Sequence, residues 1–363
     1  MKVQQKTERF NLRLIKDFSP GKTAVFLALL LAFLPSAGAT PITGCTEITA
    51  AGHYTLVNDV INSHASICIN ISSSDVVLDG AGHTIDGIDS VNTFGVYVFG
   101  GYAGVYNITV KNLKVTDWMY GIYYFYVDGG RIEGNTAKSN SESGIFLSNS
   151  NGNNVLNNTA SSNKCGFLSY TSSNNVITGN LVKSNKNGFM LGYSSNNNVM
   201  SNNTAKSNDY GFRLEILSNY NIITNNTIIS NAHGISLFLS GGSIWNNHFN
   251  NTENVHDVFI YKTTWNITKT PGTNIVGGSY LGGNYWAKPD GLGFSQTCTD
   301  ADSDGICDES YKVSTFNMDY LPLKKPALPV PPSPTPIPEF PTVVLPAVAV
   351  LLALFTLFRR REH

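Results

Sequence analysis

Four stretches decide the fold: Asn163-Lys164-Cys165-Gly166-Phe167, Asn185-Lys186-Asn187-Gly188-Phe189, Asn208-Asp209-Tyr210-Gly211-Phe212 and Asn231-Ala232-His233-Gly234-Ile235. The glycines extend upstream as Gly121 and Gly144, so that Gly121, Gly144, Gly166, Gly188, Gly211 and Gly234 are spaced by 23, 22, 22, 23 and 23 residues. Asn140, Asn163, Asn185, Asn208, Asn231 and Asn254 keep the same beat, and Asn135, Asn158, Asn180, Asn203 and Asn226 precede them by five residues. A fixed period of this length marks a stacked repeat. After each glycine, positions +1 and +3 are mostly apolar, as in Ile145 and Leu147, Phe189 and Leu191, Phe212 and Leu214, Ile235 and Leu237. Alternation of period two is a strand with one face inward. A second short strand is expected to start at Val155, Val176, Val199, Ile222 and Ile244. The glycines are expected to allow a bend that a Cβ resists. The asparagines are expected to tolerate left-handed backbone and to hydrogen-bond the same residue one coil away. Leucine-rich and helical repeats are excluded, because neither the Leu-x-x-Leu-x-Leu frame nor a 3.6-residue period is present. The fold class is therefore all-β: a right-handed parallel β-helix of coils of about 23 residues. About eight coils run from Val96 to Asp257, with Asp257 in the glycine place of the last. At the spacing of neighbouring strands this makes a rod on the order of 40 Å.

The rest of the chain divides around that body. Residues 1–39 read as a signal peptide, with basic residues from Lys2 to Lys22, an apolar run over 24–34 and the small-x-small triplet Ala37-Gly38-Ala39. Residues 40–74 are expected to cap the first coil, 75–270 to form the repeats, and 271–323 to cap the last, because open sheet edges must be covered. No proline lies between Thr46 and Thr270, as interior strands require, whereas ten of the fifteen fall between Pro322 and Pro346. Residues 324–340 are a Pro-rich linker whose 326–338 portion reads as a polyproline II spacer of about 3 Å per residue. Residues 341–363 hold an 18-residue apolar run followed by Arg359, Arg360 and Arg361. That is a short transmembrane helix with its basic flank inside, and it places the body outside the cell. Charged residues make up 13% of the chain and the formal net charge is -1, which excludes a nucleic-acid partner on electrostatic grounds.

Ser74-Asp75-Val76-Val77-Leu78-Asp79-Gly80-Ala81-Gly82-His83-Thr84-Ile85-Asp86-Gly87 resembles the first coil of archaeal surface proteins with NosD-like, carbohydrate-binding or sugar-hydrolysing β-helix repeats. Gly282-Gly283-Asn284-Tyr285-Trp286, followed by an Asp-rich loop, resembles the way such domains end. Pro338-Glu339-Phe340-Pro341, an apolar segment and an Arg cluster resemble the PEF-CTERM sorting signal. The last resemblance implies recognition by an archaeosortase near Pro338, Glu339 and Phe340, removal of the segment and lipid attachment at the membrane. Family labels of this kind mention periplasmic copper. The seven histidines are scattered along the chain and Met is rare, so no His/Met cluster is expected to suit copper.

Candidate chemistry is sparse. Polysaccharide cleavage on this fold needs two or three neighbouring carboxylates or a metal-and-Arg site. From Arg131 to Thr270 the acids are Glu133, Glu142, Asp209, Glu215, Glu253 and Asp257, and Arg213 is expected to pair with Glu215. The outer face of the strand after each glycine carries the expected ladders Tyr97, Tyr123, Phe146, Leu168, Met190 and Phe99, Phe125, Ser148, Tyr170, Gly192, with Trp118, Tyr120, Tyr124 and Tyr126 nearby. Tyr97, Phe99, Tyr123, Phe125, Phe146 and Tyr170 are the candidate glycan-binding residues. Such ladders are either stacking surface for a sugar or good strand formers beneath a loop from residues 90–106. Cys298-Thr299-Asp300-Ala301-Asp302-Ser303-Asp304-Gly305-Ile306-Cys307-Asp308 matches the start of a calcium loop, with Tyr311 where the twelfth-position Glu belongs. Asp300, Asp302, Asp304, the Ile306 carbonyl and Asp308 are the candidate ligands of a structural Ca2+; a solvated acidic turn is the other reading. Export and an odd cysteine count point to disulfides Cys45–Cys68 and Cys298–Cys307, leaving Cys165 free. Of the Asn-x-Ser/Thr sequons, Asn70, Asn107 and Asn266 are the glycosylation candidates, while Asn157, Asn202 and Asn225 arise from the repeated Asn-Asn-Thr corner. The expected function is a non-catalytic cell-surface envelope or adhesion module able to bind glycan. A polysaccharide lyase or glycoside hydrolase acting on the outer strand face is the alternative.

Overall fold

The computed structural model describes residues 38–258, 263–326 and, near the C-terminus, 349–352 and 354. The described residues up to 326 form one unit, a parallel β-solenoid, and the helical residues 349–352 and 354 belong to a second. Among the described residues no helix is long and apolar enough to cross a membrane. The leader, the Pro338-Glu339-Phe340 motif and most of the apolar segment lie outside the described residues.

Three sheets of ten, nine and ten strands enclose the core; from Val76 onward each coil gives one strand to each, while the two coils before it lack a strand of the second sheet. One representative coil consists of Val199–Ser201 in the first sheet, Thr204–Lys206 in the second and Tyr210–Glu215 in the third. The strand after each glycine is therefore in the third sheet. Its inward rows are those expected: Ile145, Phe167, Phe189, Phe212 and Ile235 stack in register, as do Leu147, Ser169, Leu191, Leu214 and Leu237. The first-sheet strands start at Asn154, Val176, Val199, Asn221 and Gly242, at or within two residues of the expected starts, but the expected residues do not form one row. Val155, Ile177, Met200, Ile223 and Ile244 form the buried row, and Val176, Val199 and Ile222 face outward beside it. The second sheet has one inward residue per strand, and in Ala137, Ala160 and Ala205 that residue is too small to announce a strand.

Asparagine ladders run up all three corners. Asn135 begins one that descends through Asn158, Asn180, Asn203, Asn226 and Asn247 to Asn284; at each step the lower Oδ1 accepts both the backbone N–H and the Nδ2 of the residue above. The second, from Asn140, reaches Asn231, passes to Asn251 and only then to Asn254. The last coil is short, 20 residues from Asn231 to Asn251. Asn254 therefore lies in the glycine place and not Asp257, since a Cβ on Gly234 would meet the Asn254 carbonyl oxygen at 2.6 Å. The third ladder, Asn153–Asn175–Asn198–Asn221, was not anticipated. In the Asn-Asn corners the pair divides its work: Asn157 and Asn202 are exposed at φ +55, whereas Asn158 and Asn203 are buried in the ladder.

The repeated glycines serve closeness and not bending. None of Gly121, Gly144, Gly166, Gly188, Gly211 and Gly234 has a left-handed φ. A Cβ on Gly188 would stand 2.5 Å from the Gly211 carbonyl oxygen, a separation real Cβ atoms do not adopt.

The solenoid starts earlier than expected. Thr40–Ile42 and Gly52–Leu56 lead the first sheet, and Thr46–Ile48 and Ile67–Ile71 lead the third, so residues 40–74 supply coils as well as a covering edge. Cys45 and Cys68 are bonded one coil apart, Cys298 is bonded to Cys307, and Cys165 is free and buried. At the other end Tyr285–Ala287 extends the second sheet, and Trp286 lies flat on Phe249 at 4.7 Å. Asp319, wholly buried there, accepts hydrogen bonds from Asn284 N (2.8 Å), Trp286 Nε1 (2.9 Å) and Leu321 N (3.1 Å).

Candidate functional site: the outer face of the third sheet

The outward rows of the third sheet form a strip whose chemistry changes along the solenoid. Its first part is aromatic. Tyr97, Tyr123 and Phe146 stack in one row and Phe99 sits over Phe125 in the next, with centroids 5.5, 4.4 and 4.9 Å apart. Trp118 and Tyr124 do not belong here. Both are fully buried, Tyr124 donating its hydroxyl to Ile108 O and Arg131 O, and Trp118 donating Nε1 to Ile85 O. Among the candidates, Phe146 is buried and Tyr97, Phe99, Tyr123, Phe125 and Tyr170 are half-buried, so the rings cover one another more than a flat platform would. Burial pushes the Tyr123 and Tyr170 phenols up to about 12 and raises those of Tyr97 and Tyr120. All four remain hydroxyl donors at neutral pH.

Tyr102, 78% exposed, meets Phe99 and Tyr126 edge-on at 5.5 Å each. Together Tyr102 and Tyr126 turn the aromatic cluster into an open groove of about 480 Å³ that also takes in Asp128, Asn149, Asn151 and Ser173. Asp128 Oδ1 accepts the Asn151 N–H at 2.8 Å and Asn151 Oδ1 accepts the Ser173 N–H at 2.9 Å, which fixes these side chains as a polar rim. Sequence reading missed this groove because its polar residues are turn residues, indistinguishable by type from every other corner.

Further along the strip lie Cys165 and Met190, with sulfurs 4.0 Å apart, and then Arg213. Arg213 pairs with Glu215 at 2.5 Å and lies 4.9 Å over the Tyr210 ring. The strip ends on His233, Glu253 and His256, whose donor atoms lie within 4.8 Å of one another. The histidines are thus scattered in sequence but not all in space. A carboxylate cluster lies upstream of Arg131: Asp117, at the corner between the second and third sheets, has its carboxyl raised by burial and by Asp89 and Asp86.

The Asp-rich loop brings Asp300, Asp302 and Asp304 together within 4.8 Å. Asp300 accepts the N–H groups of Asp304 and Gly305, both at 3.0 Å, and Lys269 is paired with Asp304. Asp308 stands apart from the trio and accepts the Ala301 N–H, while the Ile306 side chain is buried. Of the sequon candidates, Asn107 is exposed at φ +57; Asn70 and Asn266 are half-buried and hydrogen-bonded to Glu47 and to the Tyr320 N–H.

The family model of periplasmic copper-binding protein (NosD) matches residues 69–291, more than half of the chain, and that of the PEF-CTERM archaeal protein sorting domain matches residues 337–362. No curated protein matches. Solved structures that are similar include the Dettilon tailspike protein (20% identity, TM-score 0.48, 59% of this chain and 47% of that one). The A-module of mannuronan C-5 epimerase AlgE4 from Azotobacter vinelandii gives 19% identity and a TM-score of 0.42, with 59% of both chains covered. DFA-IIIase from Arthrobacter chlorophenolicus gives 14% identity and a TM-score of 0.39, with 53% of this chain and 61% of that one covered. The chain therefore spans less than two thirds of each.

The family description names copper. Cys165 and Met190 offer only two donors, in a buried cluster where burial keeps the thiol protonated. His233, His256 and Glu253 bring two imidazoles and a carboxylate together without methionine, a grouping distinct from the His/Met cluster considered in the sequence. The sorting domain places the protein outside the cell, anchored at its surface and processed by a sorting enzyme of the archaeosortase kind. The chain belongs to the NosD family, as a β-helix protein exported to and held at the cell surface.

Proposed function

We propose that this protein is a non-catalytic surface module that docks glycan along the aromatic strip and into the groove beside it. The observation that carries this reading is the junction at Tyr102 and Tyr126, where the aromatic cluster, ending in these edge-on rings, opens directly onto the rim of Asp128, Asn149, Asn151 and Ser173. Aromatic faces take the apolar face of a sugar ring, and amides, hydroxyls and a carboxylate take its hydroxyls. Tyr102 is the residue to change, because its exposure lets it be removed without opening the core. Binding of surface polysaccharide fragments, found by glycan array and measured by calorimetry, should weaken roughly tenfold in Tyr102→Ala, the loss of one stacking contact. An array without a binder, or a Tyr102→Ala protein that binds as well as the wild type, would overturn the reading. The alternative, a lyase or hydrolase, is favoured by one observation, the raised Asp117 carboxyl beside Asp86 and Asp89. Polysaccharide cleavage that disappears in Asp117→Asn would establish it.

The Asp-rich loop extends the proposal to a structural Ca2+ held by Asp300, Asp302 and Asp304, with the Ile306 carbonyl and, after leaving the Ala301 N–H and turning toward the trio, Asp308 completing the shell. Three carboxylates around Gly305 repel one another without a cation, and Lys269 supplies part of that charge in its absence. With no twelfth-position Glu, affinity should be on the order of 10⁻⁴ to 10⁻³ M. The melting temperature should rise with millimolar calcium and lose that rise in Asp300→Ala/Asp304→Ala. Identical melts in calcium and in chelator would sink it.

A further inference from the structure

Stacking of the last two coils sets Glu253 in register with His233, and His256 in register with Ser236 one alternation further on, so all three side chains emerge on the same outer face. His233 Nδ1 and His256 Nδ1 both approach the same oxygen, Glu253 Oε2, at 2.7 and 2.8 Å. The two imidazole rings lie 4.1 Å apart, and Tyr210 stacks on His233 at 4.7 Å and 25°, which restricts that ring's rotation. The other side of His256 is also engaged: Nε2 stands 3.2 Å from Asp257 Oδ2. A carboxylate on one imidazole nitrogen takes its N–H and leaves the other nitrogen as a bare lone pair, the arrangement that orients histidine ligands in metal sites. At His256 this lone pair would face a carboxylate oxygen at 2.8 Å, a contact that a cation between them makes favourable. The side chains of His233, His256 and Glu253 are 27, 30 and 48% exposed, which leaves one direction open to water or a fourth ligand.

We propose that His233, His256 and Glu253 form a three-ligand site for a divalent transition-metal ion, Cu(II) or Zn(II), with Asp257 as the residue that positions His256. Nitrogen donors separate this site from the Asp-rich loop, whose all-oxygen set suits Ca2+. Three protein ligands with an open position also distinguish it from a closed four-ligand structural zinc site. The proposal is independent of glycan binding.

The full-length chain, held at saturating calcium so that the Asp-rich loop is occupied if it binds at all, should take up one equivalent of Zn(II) by calorimetry. With Cu(II) its electron paramagnetic resonance spectrum should show coupling to two imidazole nitrogens. His233→Ala and His256→Ala should each reduce the coupling to one nitrogen and weaken affinity by more than tenfold. Asp257→Asn should weaken it roughly 10–100-fold while keeping two nitrogens, as expected of a group acting through a ligand. Asp302→Ala should leave it unchanged. Thermal melts of each variant report folding, and His256→Asn, which keeps a polar outward side chain, replaces His256→Ala if the latter melts early. No uptake at millimolar metal, or uptake and coupling that persist in the double variant His233→Ala/His256→Ala, would overturn the proposal.

Discussion

Asn180→Ala should lower unfolding free energy by about 2–6 kcal/mol, the cost of leaving two buried donors without acceptors. Asn180 Oδ1 accepts Asn158 N at 2.9 Å and one N–H of Asn158 Nδ2 at 3.0 Å; on truncation Asn158 Nδ2 keeps only its other bond, to Ile132 O. The same side chain donates through Nδ2 to Val155 O, Thr178 O and Asn203 Oδ1. Truncation therefore breaks the ladder on both sides, within a low-dielectric corner where unpaired polar groups are most costly. In a solenoid, stability is a chain of neighbour-to-neighbour terms, so a break in the middle is also where the rod should first separate. Lys186→Ala, on an exposed corner of the same coil, is the control and should stay within about 0.5 kcal/mol of wild type. Denaturant titration with a far-ultraviolet signal measures both. A change in Asn180→Ala no larger than that of the control would mean that water fills the gap and that the ladder is not a stability device.

The same ladder explains what could be read from the sequence and what could not. A period that places an asparagine and a glycine at fixed offsets is visible because stacked coils narrow the choice at each site: an amide that can both donate and accept up the corner, and, wherever another coil follows, a residue without the Cβ that at Gly188 would stand 2.5 Å from a carbonyl oxygen. The inward rows of the third sheet were legible for a similar reason, since large apolar residues alternate there with polar ones. The first sheet misleads because Val176 and Ile177, or Ile222 and Ile223, are both apolar, and only register against the neighbouring coil decides which one is buried. Asn153, Asn175, Asn198 and Asn221 were hidden among adjacent asparagines. The His233–Glu253–His256 cluster escaped because the last coil is shortened, which moves residues 251–257 out of the 22–23-residue beat just where the cluster forms. Trp118 is hard to place because an aromatic at a corner fits either face until its hydrogen bond is known, whereas Tyr124 occupies the third place after Gly121, in register with the inward Val98 and Leu147, so the alternation already points it inward.

Stability should also depend on pH through Asp319, in a direction opposite to that of an ordinary paired carboxylate. Asp319 closes the first asparagine ladder: Asn247 bonds to Asn284, and Asn284 N donates to Asp319 Oδ2. Burial raises its pKa from 3.8 to about 6, against the lowering effect of the hydrogen bonds it accepts from Asn284, Trp286 and Leu321. In the unfolded chain the carboxyl ionises near its ordinary value, whereas in the folded chain it holds its proton until about pH 6. Between these limits the native state binds more protons, so raising the pH favours unfolding. The loss begins near pH 4, is complete above pH 6, and amounts to about 3 kcal/mol at 1.36 kcal/mol per unit. Asp59 and Asp79, whose pKa values are lowered, contribute with the opposite sign, which is why the measurement must be a difference. Asp319→Asn keeps the size of the side chain and does not titrate. The gap in unfolding free energy between wild type and Asp319→Asn should therefore shift against the wild type as pH rises from 4 to 7, with the steepest change between 4 and 6. Two pH profiles that run parallel over that range would show that Asp319 ionises in the folded protein as it does in the unfolded chain, and that the ladder ends on a carboxylate whose charge the C-terminal cap accommodates without cost.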